Sequence, residues 1–163
     1  MPEREVLRAM IASRNSPELN LALSKAVIGV AGLGGLGSNI ALSLARVGVK
    51  KLVLADFDVV EPSNLNRQQY FVRHIGLKKT QALKELINDV NPFVEVETHD
   101  IFLDEKNVAS VFGECEILCE AFDNVAGKAM ILNEAGASLK EKKIIGASGM
   151  AGYFSSTLIK TLK

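Results

Sequence analysis

The sequence predicts an α/β domain, a mostly parallel sheet with helices on both faces. Three observations predict it. Short apolar runs rich in β-branched residues, at 26–31, 51–55, 116–122 and 143–147, alternate with stretches of helical period. The first run, Val27-Ile28-Gly29-Val30-Ala31, enters a glycine cluster, after which Leu36, Ile40, Leu44 and Val47 recur at spacings of four, four and three. That is a buried strand, a tight turn and an amphipathic helix. Finally, the polar stretches Gly32–Gly37 and Asp56–Gln68, and Asp123, each follow a strand. In an open parallel sheet such stretches gather along the carboxyl edge, where ligands bind.

In chain order, residues 3–24 read as one or two helices. Val6, Met10 and Ile11 share a face, Ser16-Pro17 breaks the pattern, and Leu19 to Leu23 resume it. This segment is expected outside the sheet or against a partner subunit. The helix over 35–47 stops at Gly48. Lys51–Ala55 is the second strand and ends in Asp56-Phe57-Asp58. Val59 to Ile75 has no clear period and is long for a connection, a length that usually signals function. A helix over 77–90 follows Gly76, with Leu83, Leu86, Ile87 and Val90 inward, and Asn91-Pro92 ends it. Residues 94–99 alternate as a half-exposed strand, and Asp104 starts a short helix. Asp123-Asn124 caps a helix to about 138, and Tyr153 to Leu162 reads as a sixth strand. The organisation is a helical segment over 1–24 and a Rossmann-like domain over 25–163.

Composition narrows the function. The chain has 163 residues, 48% of them apolar, which suits one folded domain. Lys plus Arg and Asp plus Glu both number 19, so no basic field argues for nucleic acid. No apolar run approaches the roughly 20 residues of a membrane helix. The start, Met1-Pro2-Glu3-Arg4-Glu5, lacks the apolar core of a signal peptide, and a cytoplasmic location is expected. Cys115 and Cys119 cannot supply a four-cysteine zinc site, so no zinc is expected.

Gly32, Gly34 and Gly37 fit G-x-G-x-x-G, with Gly35 inside the motif. The glycines permit a sharp turn and close approach of backbone to phosphate, and the helix N-terminus offers unpaired N–H groups. Asp56, 19 residues after Gly37, is placed to take ribose hydroxyls, in an ATP site or an NAD site alike. Ser63-Asn64-Leu65-Asn66-Arg67-Gln68 adds a guanidinium and several amides suited to a triphosphate. Lys79 stands in the first turn of a helix, where a cation opposes the dipole and makes sense beside an anion. Asp123, at a strand end, suits either Mg²⁺, which takes one or two carboxylates plus phosphate oxygens, or an N-cap.

Gly32-Leu33-Gly34-Gly35-Leu36-Gly37-Ser38, Asp56-Phe57-Asp58-Val59-Val60, Ser63-Asn64-Leu65-Asn66-Arg67-Gln68, Gly76 with Lys79, and Phe122-Asp123-Asn124 occur in that order. Together they strongly resemble the ubiquitin-activating-enzyme-like adenylyltransferases over roughly residues 25–160. The branch resembled most is that of the ThiF proteins, the sulfur-carrier adenylyltransferases of thiamine biosynthesis. The resemblance implies that Gly32 to Gly37 line the phosphates of ATP and Asp56 holds the ribose. It implies that Asn64, Arg67 and Lys79 contact the triphosphate, Gln68 supports them and Asp123 binds Mg²⁺. Arg67, Lys79 and Asp123 are then the catalytic residues. The implied reaction joins the C-terminal glycine carboxylate of a small ubiquitin-like sulfur carrier, ending in Gly-Gly, to AMP and releases pyrophosphate. A homodimer and a separate sulfur-donor protein are implied partners; nucleic acid and membrane are not.

The chain departs from the family pattern in three ways. It lacks the paired C-x-x-C zinc motifs, and it ends at Lys163, before the carrier-gripping and catalytic-cysteine region of many members. No motif fixes which arginine, Arg8 or Arg14, reaches a partner's site. Cys115 and Cys119 are expected to be structural, flanked by Glu114, Glu116 and Glu120, whose charges would raise their pKa values. Within the superfamily, a molybdopterin-type carrier or a tRNA-modifying dehydratase is an alternative. An NAD-dependent oxidoreductase and a non-catalytic nucleotide-binding scaffold are alternatives from other classes.

Overall fold

The computed structural model describes residues 3–135 and 137–146. Its centre is β1 (Val27–Ala31), which pairs in parallel with β2 (Lys51–Ala55) on one side and β4 (Ile117–Glu120) on the other. β3 (Glu95–His99) lies beyond β2, and β5 (Lys143–Gly146) beyond β4. The sheet order is therefore β3-β2-β1-β4-β5. The chain builds outward from β1 to β3, then crosses back to place β4 on the other flank. The order of connection therefore switches between β1 and β4, the kind of position at which open parallel sheets bind ligands.

Helices cover both faces. α3 (Gly35–Val47) and α4 (Lys79–Val90) close one core with Ile28, Val30, Leu52 and Leu54. α5 (Val108–Val111) and α6 (Val125–Ala135) close the other with Ala31, Val53, Phe112 and Leu118. The buried face of α3 is made of small residues, Gly37, Ser38, Ala41 and Ala45, with Leu42. The larger stripe of Leu36, Ile40 and Leu44 forms its half-buried shoulder. Small residues let this helix lie close on the central strand. Gly48, at φ +88°, ends α3 in the left-handed conformation the sequence predicts.

Some boundaries move for identifiable reasons. α4 starts at Lys79 rather than 77 because Leu77 and Lys78 are extended: Val60 N–H donates to Leu77 O, and Val59 bridges Lys78. α6 ends at Ala135 rather than 138, with Glu134 O accepting the N–H groups of Ala137 and Leu139. The connection over 59–75 is built rather than loose. Two single 3₁₀ turns, Pro62–Asn64 and Val72–His74, lie within it. The expected sixth strand over Tyr153–Leu162 falls outside the described residues.

α1 (Arg4–Ala12) and α2 (Pro17–Leu23) precede the sheet, separated by Ser16, whose hydroxyl caps α2. They sit at the amino edge of the strands. Lys50 N–H donates to Leu23 O, and the Arg8 guanidinium lies 6.0 Å from the centre of the Phe93 ring. Val6 and Met10 of the apolar stripe on α1 stay exposed. None of the described helices is long and apolar enough to cross a membrane.

Candidate nucleotide site

The carboxyl ends of β1, β2 and β4 carry almost every residue the sequence singled out. Gly32 leaves β1 at φ +89°, a conformation open to glycine, and its N–H donates to Ala55 O. α3 starts hard against this turn, since a Cβ on Gly37 would stand 1.8 Å from Gly32 O. Gly34 and Gly35 face outward instead. A side chain there would first meet Gln68 Nε2 at 3.8 Å and Arg67 Cγ at 3.6 Å. So Gly32 and Gly37 make the turn possible, and Gly34 and Gly35 leave its outer surface bare beneath Arg67 and Gln68.

That surface is a row of donors. Among the described residues, the N–H groups of Gly34, Gly35, Leu36 and Gly37 donate to no other group. They sit at the N-terminus of a 13-residue helix, where the dipole favours an anion. Behind the turn, Asp56 Oδ2 accepts Leu33 N–H at 2.6 Å, and Oδ1 accepts Asp58 N–H at 2.8 Å. Burial pushes this carboxyl above the usual range, against the pull of the two N–H groups and Lys79. Asp56 thus braces the glycine turn as well as facing the ligand edge.

Lys79 is buried, not solvent-facing. Its Nζ lies 2.6 Å from Asp58 Oδ2, and its backbone N–H donates to Asp58 O. The anion that justifies a lysine at this helix start is therefore already in the chain. Neighbouring Lys78 is exposed and pairs with Asp100 at 3.2 Å. Asp58, Val59, Glu61, Asn64 and Lys79 line a cleft of about 130 Å³. Asn64 is buried and accepts Glu61 N–H through Oδ1. Arg67 folds back along its own loop, its Nη1 donating to Ser63 O and Asn66 Oδ1. Gln68 is buried with its Oε1 unpartnered among the described residues, which suits a side chain waiting for a donor.

Asp123 follows β4, beside β1, and Phe122 packs near Gly32. The N-cap expected of the Asp123-Asn124 pair belongs to Asn124, whose Oδ1 accepts Gly127 N–H at 2.7 Å. The exposed carboxylate of Asp123 bonds to no described residue. Arg8 lies at the opposite edge of the strands, and Arg14 is exposed just after α1. Neither joins the site within one chain.

The roles of three neighbours escaped the sequence reading. Tyr70 Oη donates to Leu33 O at 2.8 Å, and Ser38 Oγ donates to Gly34 O at 2.7 Å. Glu120, buried at the end of β4, pairs with Lys128. A glutamate closing an apolar strand was the available signal for the last. Both cysteines are buried, and burial, more than any carboxylate, raises their pKa, that of Cys115 to about 12. No group of three or more metal-ligating side chains occurs among the described residues.

Comparison with known proteins places this geometry. The profile described as the ThiF family matches residues 7–160. The adenylyltransferase and sulfurtransferase MOCS3 of Aedes aegypti is 32% identical over 142 residues, which are 86% of this chain and 32% of that protein. The probable adenylyltransferase/sulfurtransferase MoeZ of Mycobacterium tuberculosis is 34% identical over 114 residues, 69% of this chain and 29% of that one. Among solved structures, the E. coli tRNA N6-threonylcarbamoyladenosine dehydratase TcdA in complex with ATP superimposes with a TM-score of 0.81 at 29% identity. It covers 91% of this chain and 61% of that one. The chain spans about a third of the length of the curated relatives it matches.

Proposed function

The chain belongs to the ThiF family, and on that premise we propose that it is the nucleotide-binding part of an ATP-dependent adenylyltransferase that activates a carboxylate. The observation that carries the reading is the run of unpartnered N–H groups at Gly34–Gly37, with Arg67 above it and Asp56 behind it. An NAD-dependent oxidoreductase would use the same turn and Asp56 but leave unused the cleft that Asn64 and Lys79 line beside them.

In this reading the triphosphate lies on the turn, and Asp56 takes the ribose through its spare lone pairs. Arg67, Lys79 and Asn64 hold the phosphates, and Gln68, whose Nε2 lies over Gly34, supports them. Asp123, exposed and with its carboxylate bonded to no described residue, would hold Mg²⁺. When bound, the metal neutralises phosphate charge. The carboxylate of the substrate attacks the α-phosphorus; the new C(=O)–O–P bond forms as the bond to the β-phosphate bridging oxygen breaks, and pyrophosphate leaves. Arg67 and Lys79 stabilise the charge that accumulates on the departing oxygens, and the turn keeps the reacting atoms in line.

The favoured substrate is the C-terminal glycine of a small ubiquitin-like sulfur carrier ending in Gly-Gly, with a separate protein as sulfur donor. The relatives, named as adenylyltransferases and sulfurtransferases, support a molybdopterin-type carrier more than a thiamine-pathway one. The likeness to TcdA supports a second reading, in which the carboxylate belongs to a threonylcarbamoyladenosine of tRNA. Either enzyme is proposed to act in the cytoplasm as a homodimer, with α1 near the two-fold axis.

The test is exchange of labelled pyrophosphate into ATP, run with a Gly-Gly-ended carrier and with tRNA bearing threonylcarbamoyladenosine. Calorimetric titrations with ATP and NAD accompany it. Exchange driven by the carrier supports the first reading and exchange driven by the tRNA the second. Tight NAD binding without ATP binding overturns both.

A further inference from the structure

Resting on the nucleotide reading above, we propose that Tyr70 is a positioning residue of this site: its hydroxyl holds the Leu33–Gly34 peptide so that Gly34 N–H faces the phosphates.

The argument starts from the planarity of the peptide. In a trans peptide the C=O and N–H point in opposite directions, so fixing one aims the other. The Leu33–Gly34 peptide joins Leu33 O to Gly34 N–H, and the Gly34–Gly35 peptide joins Gly34 O to Gly35 N–H. The second is secured by α3 itself: Gly34 O accepts Ser38 N–H at 3.0 Å and Ser38 Oγ at 2.7 Å. The first lies before the helix, between a bend and a run of glycines. Glycine crosses between backbone regions with little steric resistance, so this peptide is the one free to flip. A flip would present a carbonyl to the anion in place of a donor.

What prevents it is the Tyr70 hydroxyl, which donates to Leu33 O at 2.8 Å in a buried setting. From the other side, Asp56 Oδ2 accepts the N–H of Leu33. Leu33 is thus gripped at both ends, by two residues of the connection between β2 and α4. Tyr70 is buried, and burial with the nearby carboxylates of Asp56 and Asp58 raises its pKa far above neutrality, so the hydroxyl stays a donor. Its position is set by the strap that carries Arg67. The backbone holds it there: Gln69 N–H donates to Ser38 Oγ at 3.2 Å, a bond independent of the exposed Gln69 side chain, which reaches Asn39 Oδ1 instead. The same short segment therefore lays the Arg67 methylenes over Gly35 and orients the donor next to it.

The experiment is Tyr70→Phe, which removes one oxygen and keeps the packed ring, compared with wild type and Gln69→Ala. Gln69→Ala loses an exposed bond of the same strap and leaves Tyr70 in place. ATP is titrated calorimetrically into each protein, pyrophosphate exchange gives KM and kcat separately, and thermal melting reports the fold. The expected result is ATP binding weakened roughly tenfold in Tyr70→Phe, as for one lost hydrogen bond of ordinary strength. The loss should appear in KM for ATP with kcat little changed, and Gln69→Ala should behave as wild type. Tyr70→Phe should melt a few degrees lower, from the buried Leu33 O left unpaired, but still cooperatively. Unchanged ATP affinity in Tyr70→Phe overturns the proposal. So does an equal loss in Gln69→Ala, or a Tyr70→Phe protein that no longer melts cooperatively. Wild-type protein that binds no ATP overturns the nucleotide reading itself, and this role of Tyr70 with it.

Discussion

Lys128 Nζ stands 3.0 Å from both carboxylate oxygens of Glu120. Glu120 is only 4% exposed and closes β4, and its Oε1 also accepts Phe122 N–H at 2.8 Å. The pair therefore ties the strand end to α6 and fixes the backbone leading into Asp123. A buried carboxylate tolerates burial only while its cation is present. Lys128→Met is expected to destabilise the fold by about 3 kcal/mol, because it leaves the charge uncompensated. Adding Glu120→Gln to that variant should recover part of the loss, since the charge goes and Phe122 keeps an acceptor. Urea unfolding of the single and double variants checks both. A Lys128→Met protein as stable as wild type would show that the carboxylate finds its compensation elsewhere.

Asp123 and Asn124 are adjacent but divide their work. Asn124 caps α6, while Asp123 leaves its carboxylate free of described partners. Asn124→Ala should cost about 1 kcal/mol of stability, as for a lost N-cap, and leave exchange activity nearly intact. Asp123→Asn should keep its melting temperature and lose roughly 10²–10³ in pyrophosphate exchange, the scale of one electrostatic contributor. Measuring melting and exchange on both variants separates cap from metal ligand. An Asp123→Asn protein that melts early but exchanges normally would reverse the assignment.

His74 makes stability depend on pH. Its ring is fully buried, Nδ1 accepts Phe71 N–H at 3.0 Å, and Nε2 has no partner among the described residues. Burial, with Arg73 beside it, lowers the pKa below the ordinary 6.5, against the weaker opposing pull of Glu85 and Asp89. The folded state then binds fewer protons than the unfolded chain. The contribution is fully present above pH 6.5 and is lost as pH falls from there through the folded-state value. Protonation would also take Nδ1 from Phe71 and open the strap that carries Arg67. Urea unfolding between pH 7.5 and 5 should show falling stability, and His74→Gln, which can still accept Phe71 N–H, should flatten that slope.

The fold was legible because each of its signals is local. The glycine turn, the left-handed stop at Gly48 and the apolar strands are written in consecutive residues, and their alternation with helices gives a parallel sheet; the order β3-β2-β1-β4-β5 came only with the structure. The positions of Gly32, Gly37 and Asp56 were legible for the same reason. What escaped depends on which distant side chain meets which backbone atom. Tyr70 is one aromatic in a stretch without period, and nothing in the sequence places its hydroxyl on Leu33, 37 residues away. The cap at Asn124 rather than Asp123 was hidden because both residue types cap equally well. Arg8 illustrates the opposite limit: the stripe on α1 was readable, but its lodging over Phe93 at the amino edge was not.

Cys115 and Cys119 decide whether the chain itself can carry the activated substrate as a thioester. Such a thiol must be exposed and of lowered pKa, beside a cation or a helix N-terminus. Here both are buried, Cys119 within β4 and Cys115 two residues before it. Burial raises both pKa values, and for Cys115 the cations Lys142 and Lys51 only partly oppose it, leaving a value of about 12. At pH 7 almost no thiolate forms, and each thiol acts as a small apolar group filling core volume. Replacing both by alanine should cost about 1 kcal/mol per site from lost packing. Pyrophosphate exchange should stay within twofold of wild type, because the proposed adenylation uses the glycine turn and neither sulfur. Mass spectrometry of the wild-type protein, incubated with ATP and carrier under non-reducing conditions, should show no adduct on Cys115 or Cys119. A thiol-sensitive carrier adduct on either residue, or exchange abolished in a double variant that still melts cooperatively, would give these cysteines a chemical role that their burial denies them.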